Sequence, residues 1–420
     1  MNAKSYICID LKSYYASVEC VARKLDPFKT NLVVADPARG PGALCLAISP
    51  AMKALGIRNR CRLYEIPRNV KYITAMPRMQ LYMDMSAAIY KIYLEYIAQE
   101  DIFPYSIDEC FMDVSPYLSL YNKTQKELAL FLMNEVYKRT GICATAGVGP
   151  NLFLAKIAMD ILAKNSSDHI GVLDEISFQQ TMWHHRPITD FWNIAGGIAR
   201  KLERLGVYDL YGVTKLPEAT LYQVFGKTAS YLIDHAWGRE SCTIADIRNY
   251  KPQSRSISNG QVLFEDYTTE DAKILIHEMA ETLIQQLLDE ELVTKEISLR
   301  IGYSGCDHIS SGGSHTLSQY TDIPSHIQNA FAELYHRKVK AGMGIRTLNL
   351  SLNRVVSADN MGYQGSLFGN AEAEQKEKAI EKVMIAIKKK HGKNALLRGI
   401  DYMPKATLRV RNTLIGGHHA

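Results

Sequence analysis

Ser106-Ile107-Asp108-Glu109, continuing as Cys110-Phe111-Met112-Asp113-Val114, is the stretch whose reading decides the fold. Two adjacent carboxylates sit between strand-favouring residues (Tyr105, Ile107, Phe111, Val114), which predicts a hairpin carrying Asp108 and Glu109 near its turn, at an open sheet surface. Neighbouring strand residues point to opposite faces, so both acids reach one cation only where the backbone bends. A hard divalent ion takes a few carboxylate oxygens and leaves its other positions to water and phosphate, so the pair is one half of a candidate site for phosphoryl chemistry. Acid pairs at strand ends are also common as solvated turn residues. A partner segment has to decide between the two.

That partner is N-terminal. Tyr6-Ile7-Cys8-Ile9 reads as a buried strand that ends on Asp10 and runs through Leu11-Lys12 into Ser13-Tyr14-Tyr15-Ala16-Ser17-Val18-Glu19, with Ser13 as a helix N-cap. An acid at the end of a buried strand, just before a helix, is where α/β sheets carry their chemistry. If the two strands are neighbours, Asp10, Asp108 and Glu109 converge. Three close carboxylates repel unless cations neutralise them, and a pair of metals there stabilises the attacking and leaving oxygens of an in-line phosphoryl displacement.

The chain has 420 residues, enough for two to four domains with their own cores. Its net charge of +5 with 47% hydrophobic residues describes a soluble, mildly basic protein, and mild basicity alone does not mark a nucleic-acid surface. The run from Lys388 to Arg411 is more pointed: eight basic residues stand against the single acid Asp401. It reads equally as a DNA contact or as a solvated tail. The eight cysteines are scattered, without Cys-x-x-Cys or zinc-ligand spacing, which points to a reducing compartment. With no apolar signal and no stretch near the length of a membrane span, the expectation is a cytoplasmic protein.

A third motif joins the two acidic ones: Ala146-Gly147-Val148-Gly149-Pro150-Asn151-Leu152-Phe153-Leu154-Ala155-Lys156, in which Gly147, Gly149 and Pro150 read as a tight turn from a strand over 143–148 into one helix over 152–163. Together they resemble the Y-family, or translesion, DNA polymerases, most closely the UmuC-like branch of Gram-positive bacteria. The likeness runs in order along nearly the whole chain. It implies an α+β multidomain fold in the polymerase right-hand architecture. Residues 1–12 and 75–165 would form the palm, 13–74 small fingers, and 166–240 a helical thumb with a helix-hairpin-helix. After a linker at 241–257, residues 258–356 would form a ferredoxin-like little finger and 357–420 a flexible tail. The βαββαβ order read from the periodicity of 258–355 fits that last domain, with both helices on one face.

The resemblance also assigns roles. Asp10, Asp108 and Glu109 would be the catalytic metal ligands, with the backbone carbonyl of Leu11 beside them, holding two Mg2+ ions for which Mn2+ can substitute. Tyr14 and Tyr15 would lie at the incoming dNTP, Tyr15 as the steric gate against a ribose 2′-hydroxyl. Lys53 and Lys164 would meet the triphosphate, and Lys156 would face DNA or nucleotide phosphates. Lys12 departs from the pattern, since many relatives carry an acid there, and this leaves Asp10 as the only N-terminal carboxylate ligand. In Ile194-Ala195-Gly196-Gly197-Ile198 the glycines allow a tight turn and offer N–H groups to duplex phosphates. Gln364, Leu367 and Phe368, in Gln364-Gly365-Ser366-Leu367-Phe368, resemble the peptide that bacterial polymerases insert into the β sliding clamp.

The function implied is low-fidelity translesion synthesis from dNTPs on primer-template DNA by a monomer recruited to the clamp. The resemblance leaves open whether a recombinase filament or an accessory subunit is needed. Two other readings stand beside it: a non-catalytic DNA- and clamp-binding regulator of replication, and a two-metal phosphodiesterase.

Overall fold

A computed structural model describes residues 4–252, 254–305, 309–360 and 371–420. The chain divides into two compact units, Met1–Tyr250 and Lys251–Ala420.

The first unit is built on a five-stranded sheet. Its strands are β1 (Tyr6–Leu11), β2 (Ile102–Pro104), β3 (Glu109–Asp113), β4 (Ala144–Gly149) and β5 (Ile170–Val172), in the order β2-β3-β1-β4-β5. The apolar run of β1 takes the centre of the sheet, antiparallel to both β3 and β4, while β4 and β5 are parallel. A polar strand could not sit there, because both faces of β1 are covered. Helix α1 (Tyr14–Ala22) follows β1, and helix α2 (Leu152–Ile157) follows β4.

Gly147 and Gly149 were expected to make a turn; the structure places both inside β4, for a different reason. A Cβ on Gly147 would come within 2.0 Å of the Ala155 carbonyl oxygen, and one on Gly171 within 2.0 Å of that of Ala158. Glycine lets the helical segment lie directly on the strands. That segment was expected as one α-helix to Ala163. It is α2, then a π turn over Ala158–Leu162, then a 3-10 turn over Ala163–Asn165. A π turn inserts one residue into the helical repeat and changes which side chains face the sheet.

Between α1 and the rest of the sheet, Leu32–Val34, Ala47–Ile48 and Ile73–Ala75 form a small separate sheet around Val33, Cys45, Ile48 and Met52. Residues 175–236 supply five short helices that pack on Phe153, Leu154 and Ile157 of α2. The expected linker is partly structured. Ile244–Asn249 is a helix whose Ile244 is buried against Tyr6 and Phe111, and Arg248 donates to the Ile102 carbonyl at 2.6 Å.

In the second unit, β6 (Arg255–Tyr267), α3 (Asp271–Asp289), β7 (Leu292–Tyr303), β8 (Ser310–Thr321), α4 (Pro324–Lys338) and β9 (Ile345–Ser357) follow the expected βαββαβ order. The antiparallel sheet runs β8-β7-β9-β6, which puts the first strand at an edge, whereas a ferredoxin-like sheet would hold it inside. The apolar stripe Ala272, Leu275, Ile276, Met279, Leu283 and Leu287 is core, as its spacing predicts.

Residues 371–420 do not form a flexible tail. Ala371–His391 is helix α5, and the turns after it are clasped to α3 by buried charge. Glu278 accepts from the Thr407 and Leu408 N–H groups at 3.0 and 3.1 Å, and Arg398 pairs with both Glu281, at 2.9 Å, and Glu381. The basic run is thus partly internal: the largely buried Lys388 donates to Gln285 at 3.1 Å, while Lys405 pairs with Glu265 at 2.6 Å at the surface. Polar composition suggested a solvated segment, but acids on α3 supply partners that lie more than a hundred residues away in sequence.

Candidate active site

The register of the central strands brings the acidic segments together. Asp10 stands directly opposite Glu109, and the Leu11 N–H donates to the Asp108 carbonyl at 2.9 Å. Asp108 lies in the bend at 106–108 that precedes β3, where Ser106 Oγ donates to its Oδ1 at 2.7 Å. The backbone therefore bends between the two acids, as a shared site demands.

Electrostatics report the crowding. The Asp10 carboxyl is pushed up to about 7, first by burial and then by Asp108 and Glu109, with Lys156 opposing. Glu109 is raised as well, by burial first, while Lys156 and the Cys8 thiol hold it back. Its Oε1 accepts from Cys8 Sγ at 3.2 Å and from the Lys156 ammonium at 2.7 Å. The donors are hard oxygens of the kind a divalent cation takes, and the raised Asp10 marks a place short of positive charge. The residues fit such an ion in type. They do not form a finished cage: among the described residues no three His, Cys, Asp or Glu side chains are gathered for one metal.

Lys156 is the largest departure from expectation. It was read as facing DNA or phosphates, yet it is only 7% exposed and lies within the acidic site. Every residue of α2 is buried, so none of its faces carries a lysine to the surface, and sequence spacing alone does not reveal that. Tyr14 also departs. Its ring is buried and its hydroxyl donates to the Tyr82 carbonyl at 2.6 Å, which makes it an anchor for α1 and leaves no ring face for a nucleotide.

Tyr15 is half-buried, stacks on Tyr82 with centroids 4.5 Å apart, and feels the Asp108 charge. Lys53 belongs to the short helix Pro50–Ala54, capped by Ser49. Its pKa is lowered, by desolvation first, with Asp10 and Lys164 as the charges it senses. Lys12 senses Lys53 in turn and touches the His169 ring at 3.1 Å, a basic contact that sequence reading missed because His169 lies far along the chain.

Gly196 and Gly197 open the helix Gly196–Arg204 and are exposed. A Cβ on Gly197 would meet nothing within 4 Å, and one on Gly196 only the Arg200 guanidinium at 3.5 Å, so the chain itself does not require glycine there. Close approach by an outside backbone would. Gln364, Leu367 and Phe368 lie outside the described residues.

With this geometry in place, comparison with known proteins is direct. The impB/mucB/samB family profile matches residues 9–160, and that of the family's C-terminal domain matches residues 254–367. UvrX of Bacillus subtilis (strain 168) is 30% identical over 420 residues, covering 99% of this chain and 97% of its own. The chain belongs to the impB/mucB/samB family. This is the UmuC-like, Y-family group that its motifs resemble. Other relatives of the family include DNA polymerase IV 2 of the same Bacillus strain, 27% identical with both chains fully covered. DNA polymerase IV of Desulfatibacillum aliphaticivorans is 26% identical over 92% of this chain and 94% of its own. A solved Y-family DNA polymerase chimera of Dbh and Dpo4 superposes with a TM-score of 0.64 at 20% identity, covering 84% of this chain and 99% of its own, and shares the fold.

Proposed function

We propose that this chain is a template-directed DNA polymerase of the translesion class that adds dNTPs to a primer 3′-hydroxyl in a Mg2+-dependent reaction. Full-length relatives named DNA polymerase IV support the enzyme class and, with it, binding of primer-template DNA and dNTPs. The observation that carries the reading is the pairing of Asp10 with Glu109 beside Asp108, at the open end of the central strands.

Asp10 and Asp108 would be shared by the two ions, with the Leu11 carbonyl beside them, and Glu109 would hold the ion that activates the primer 3′-hydroxyl. Ions held there would activate the primer hydroxyl and neutralise charge on the leaving pyrophosphate. The chain's own residues do the rest. Tyr15 presents its ring edge where a deoxyribose would sit and excludes a 2′-hydroxyl. Lys53, which senses the charges of Asp10 and Lys164, and Lys164 itself attract the triphosphate. Gly196 and Gly197 grip the duplex backbone without reading sequence.

In domain terms, residues 1–12 and 75–165 are the palm, 13–74 the fingers, 166–240 the thumb and 258–356 the little finger. Gln364, Leu367 and Phe368 are the clamp-binding peptide of a cytoplasmic monomer. Among the described residues no helix is long and apolar enough to cross a membrane.

Extension of a labelled primer on undamaged and abasic templates with Mg2+ tests the reading, with wild type set against Asp108→Ala. Extension that depends on Asp108 supports polymerisation through the acidic site. Primer shortening in place of extension would favour the phosphodiesterase, and no reaction the non-catalytic regulator.

A further inference from the structure

Lys156 is the one charged side chain of α2, and helix packing against β4 sends it inward. Its ammonium lies 2.7 Å from Glu109 Oε1 and 3.1 Å from Asp160 Oδ2, with the Tyr105 ring centroid at 5.8 Å. Tyr105 is itself fixed, because Trp192 Nε1 donates to its hydroxyl at 3.1 Å. The Lys156 and Glu109 side chains are each 9% exposed, so neither has bulk water to solvate its charge. Such a pair holds because each member is the other's counter-ion, and removing one strands the other.

A divalent ion seeking Glu109 would meet a carboxylate whose charge is already answered, with an ammonium in the way. Displacement needs a second acceptor that keeps the lysine once Glu109 is taken. Asp160 is already that acceptor, because the ammonium bridges it and Glu109, and the face of Tyr105 lies beside both. Asp160 lies in the π turn, where the helix is already loosened from its regular repeat.

We propose that Lys156 is the protein's own counter-cation for the acidic site: it bridges Glu109 and Asp160 while no metal is bound, and it releases Glu109 and stays on Asp160 when a divalent ion takes its place. This rests on the reading that the acids bind a divalent ion. The device keeps the buried Glu109 from standing bare beside Asp10 and Asp108, and it lowers affinity for metal alone. Tight binding then awaits the further negative charge of a nucleotide triphosphate. Lys156 touches neither substrate nor reacting atoms in this role and is a positioning residue.

The test is Mn2+ binding to the full chain without DNA or nucleotide, followed by electron paramagnetic resonance and calorimetry. Wild type, Lys156→Met, Lys156→Arg and Asp108→Ala are compared. Removing one positive charge a few ångströms from the ion tightens the Asp108-dependent Mn2+ site by at least about three-fold in Lys156→Met. Lys156→Arg, which keeps the charge, stays at or below wild-type affinity. A residue that merely fills space, or that faces DNA, would not move metal affinity in this direction. Unchanged or weaker Mn2+ binding in Lys156→Met overturns the proposal while leaving an Asp108-dependent site, and so the polymerase reading, intact. Mn2+ binding insensitive to Asp108→Ala in every variant overturns both. If Lys156→Met does not fold, the wild-type protein decides by NMR of 15N-lysine side chains. The buried Lys156 ammonium resonance must shift as Mg2+ fills the site, and a resonance that stays put overturns the exchange.

Discussion

Asp10→Asn should make the metal-free protein more stable at pH 8 while abolishing primer extension. The carboxyl rises from 3.8 to about 7 on folding, because burial and then the Asp108 and Glu109 charges penalise its ionised form. A raised acid works against the folded state once pH exceeds its unfolded pKa. Below about pH 4 both states carry the proton and the penalty is absent; through the interval up to about 7 it grows, and above that it is complete. The shift is 7 minus 3.8, or about three units, and at about 1.36 kcal/mol per unit the ceiling is about 4 kcal/mol. Asp10 is partly exposed, and screening brings the expected gain to about 2 kcal/mol. Urea unfolding of wild type and Asp10→Asn in EDTA at pH 5 and pH 8 measures it, following the transition of the Met1–Tyr250 unit. The variant's advantage should be larger at pH 8 than at pH 5 and should shrink when Mg2+ is added to wild type. An Asp10→Asn protein less stable than wild type at pH 8 in EDTA would refute the reasoning, since Asp10 would then be a structural carboxylate and not a group strained by its neighbours.

Four further outcomes follow from other contacts. Glu109→Gln should reduce primer extension by on the order of a hundred-fold or more, read by single-turnover kinetics at saturating dNTP. Tyr15→Ala should admit ribonucleotides, lowering the dNTP/rNTP ratio of kcat/KM by at least about ten-fold, with little change for dNTPs. Gly147→Ala should destabilise the first unit by about 1–3 kcal/mol or more, seen in denaturant unfolding, because its new Cβ meets the Ala155 carbonyl at 2.0 Å. Glu281→Ala should remove one of the two carboxylates that hold Arg398 and speed limited proteolysis of residues 371–420, at a cost of about 1.5–3 kcal/mol, because Arg398 is partly exposed and keeps Glu381.

Much of the site was legible because its signals are local. Asp10 ends an apolar run, and Asp108-Glu109 sit between strand formers, so each acid announces its place from its neighbours. The βαββαβ order and the α3 core stripe follow in the same way from periods of two and of 3.6 residues. Local pattern fails where a partner comes from elsewhere. Nothing around Lys156 says that its ammonium turns towards Glu109, and nothing around Tyr14 says that Tyr82 claims its hydroxyl. The glycines of β4 read as turn formers because their true reason, a helix backbone lying against them, appears only once α2 is laid on the sheet.

By itself, then, the sequence determined the acids, the strands that end on them, the apolar faces and the family motifs, all of them carried by a few neighbouring residues. The tertiary structure decided that α2 is buried along its whole length, that the second unit's first strand lies at an edge, and that residues 371–420 are clasped to α3 through Glu278 and Glu281. Those outcomes depend on burial and charge pairing between segments far apart in the chain. A buried charge is settled by the opposite charge that reaches it, and that partner is known only when the chain has folded.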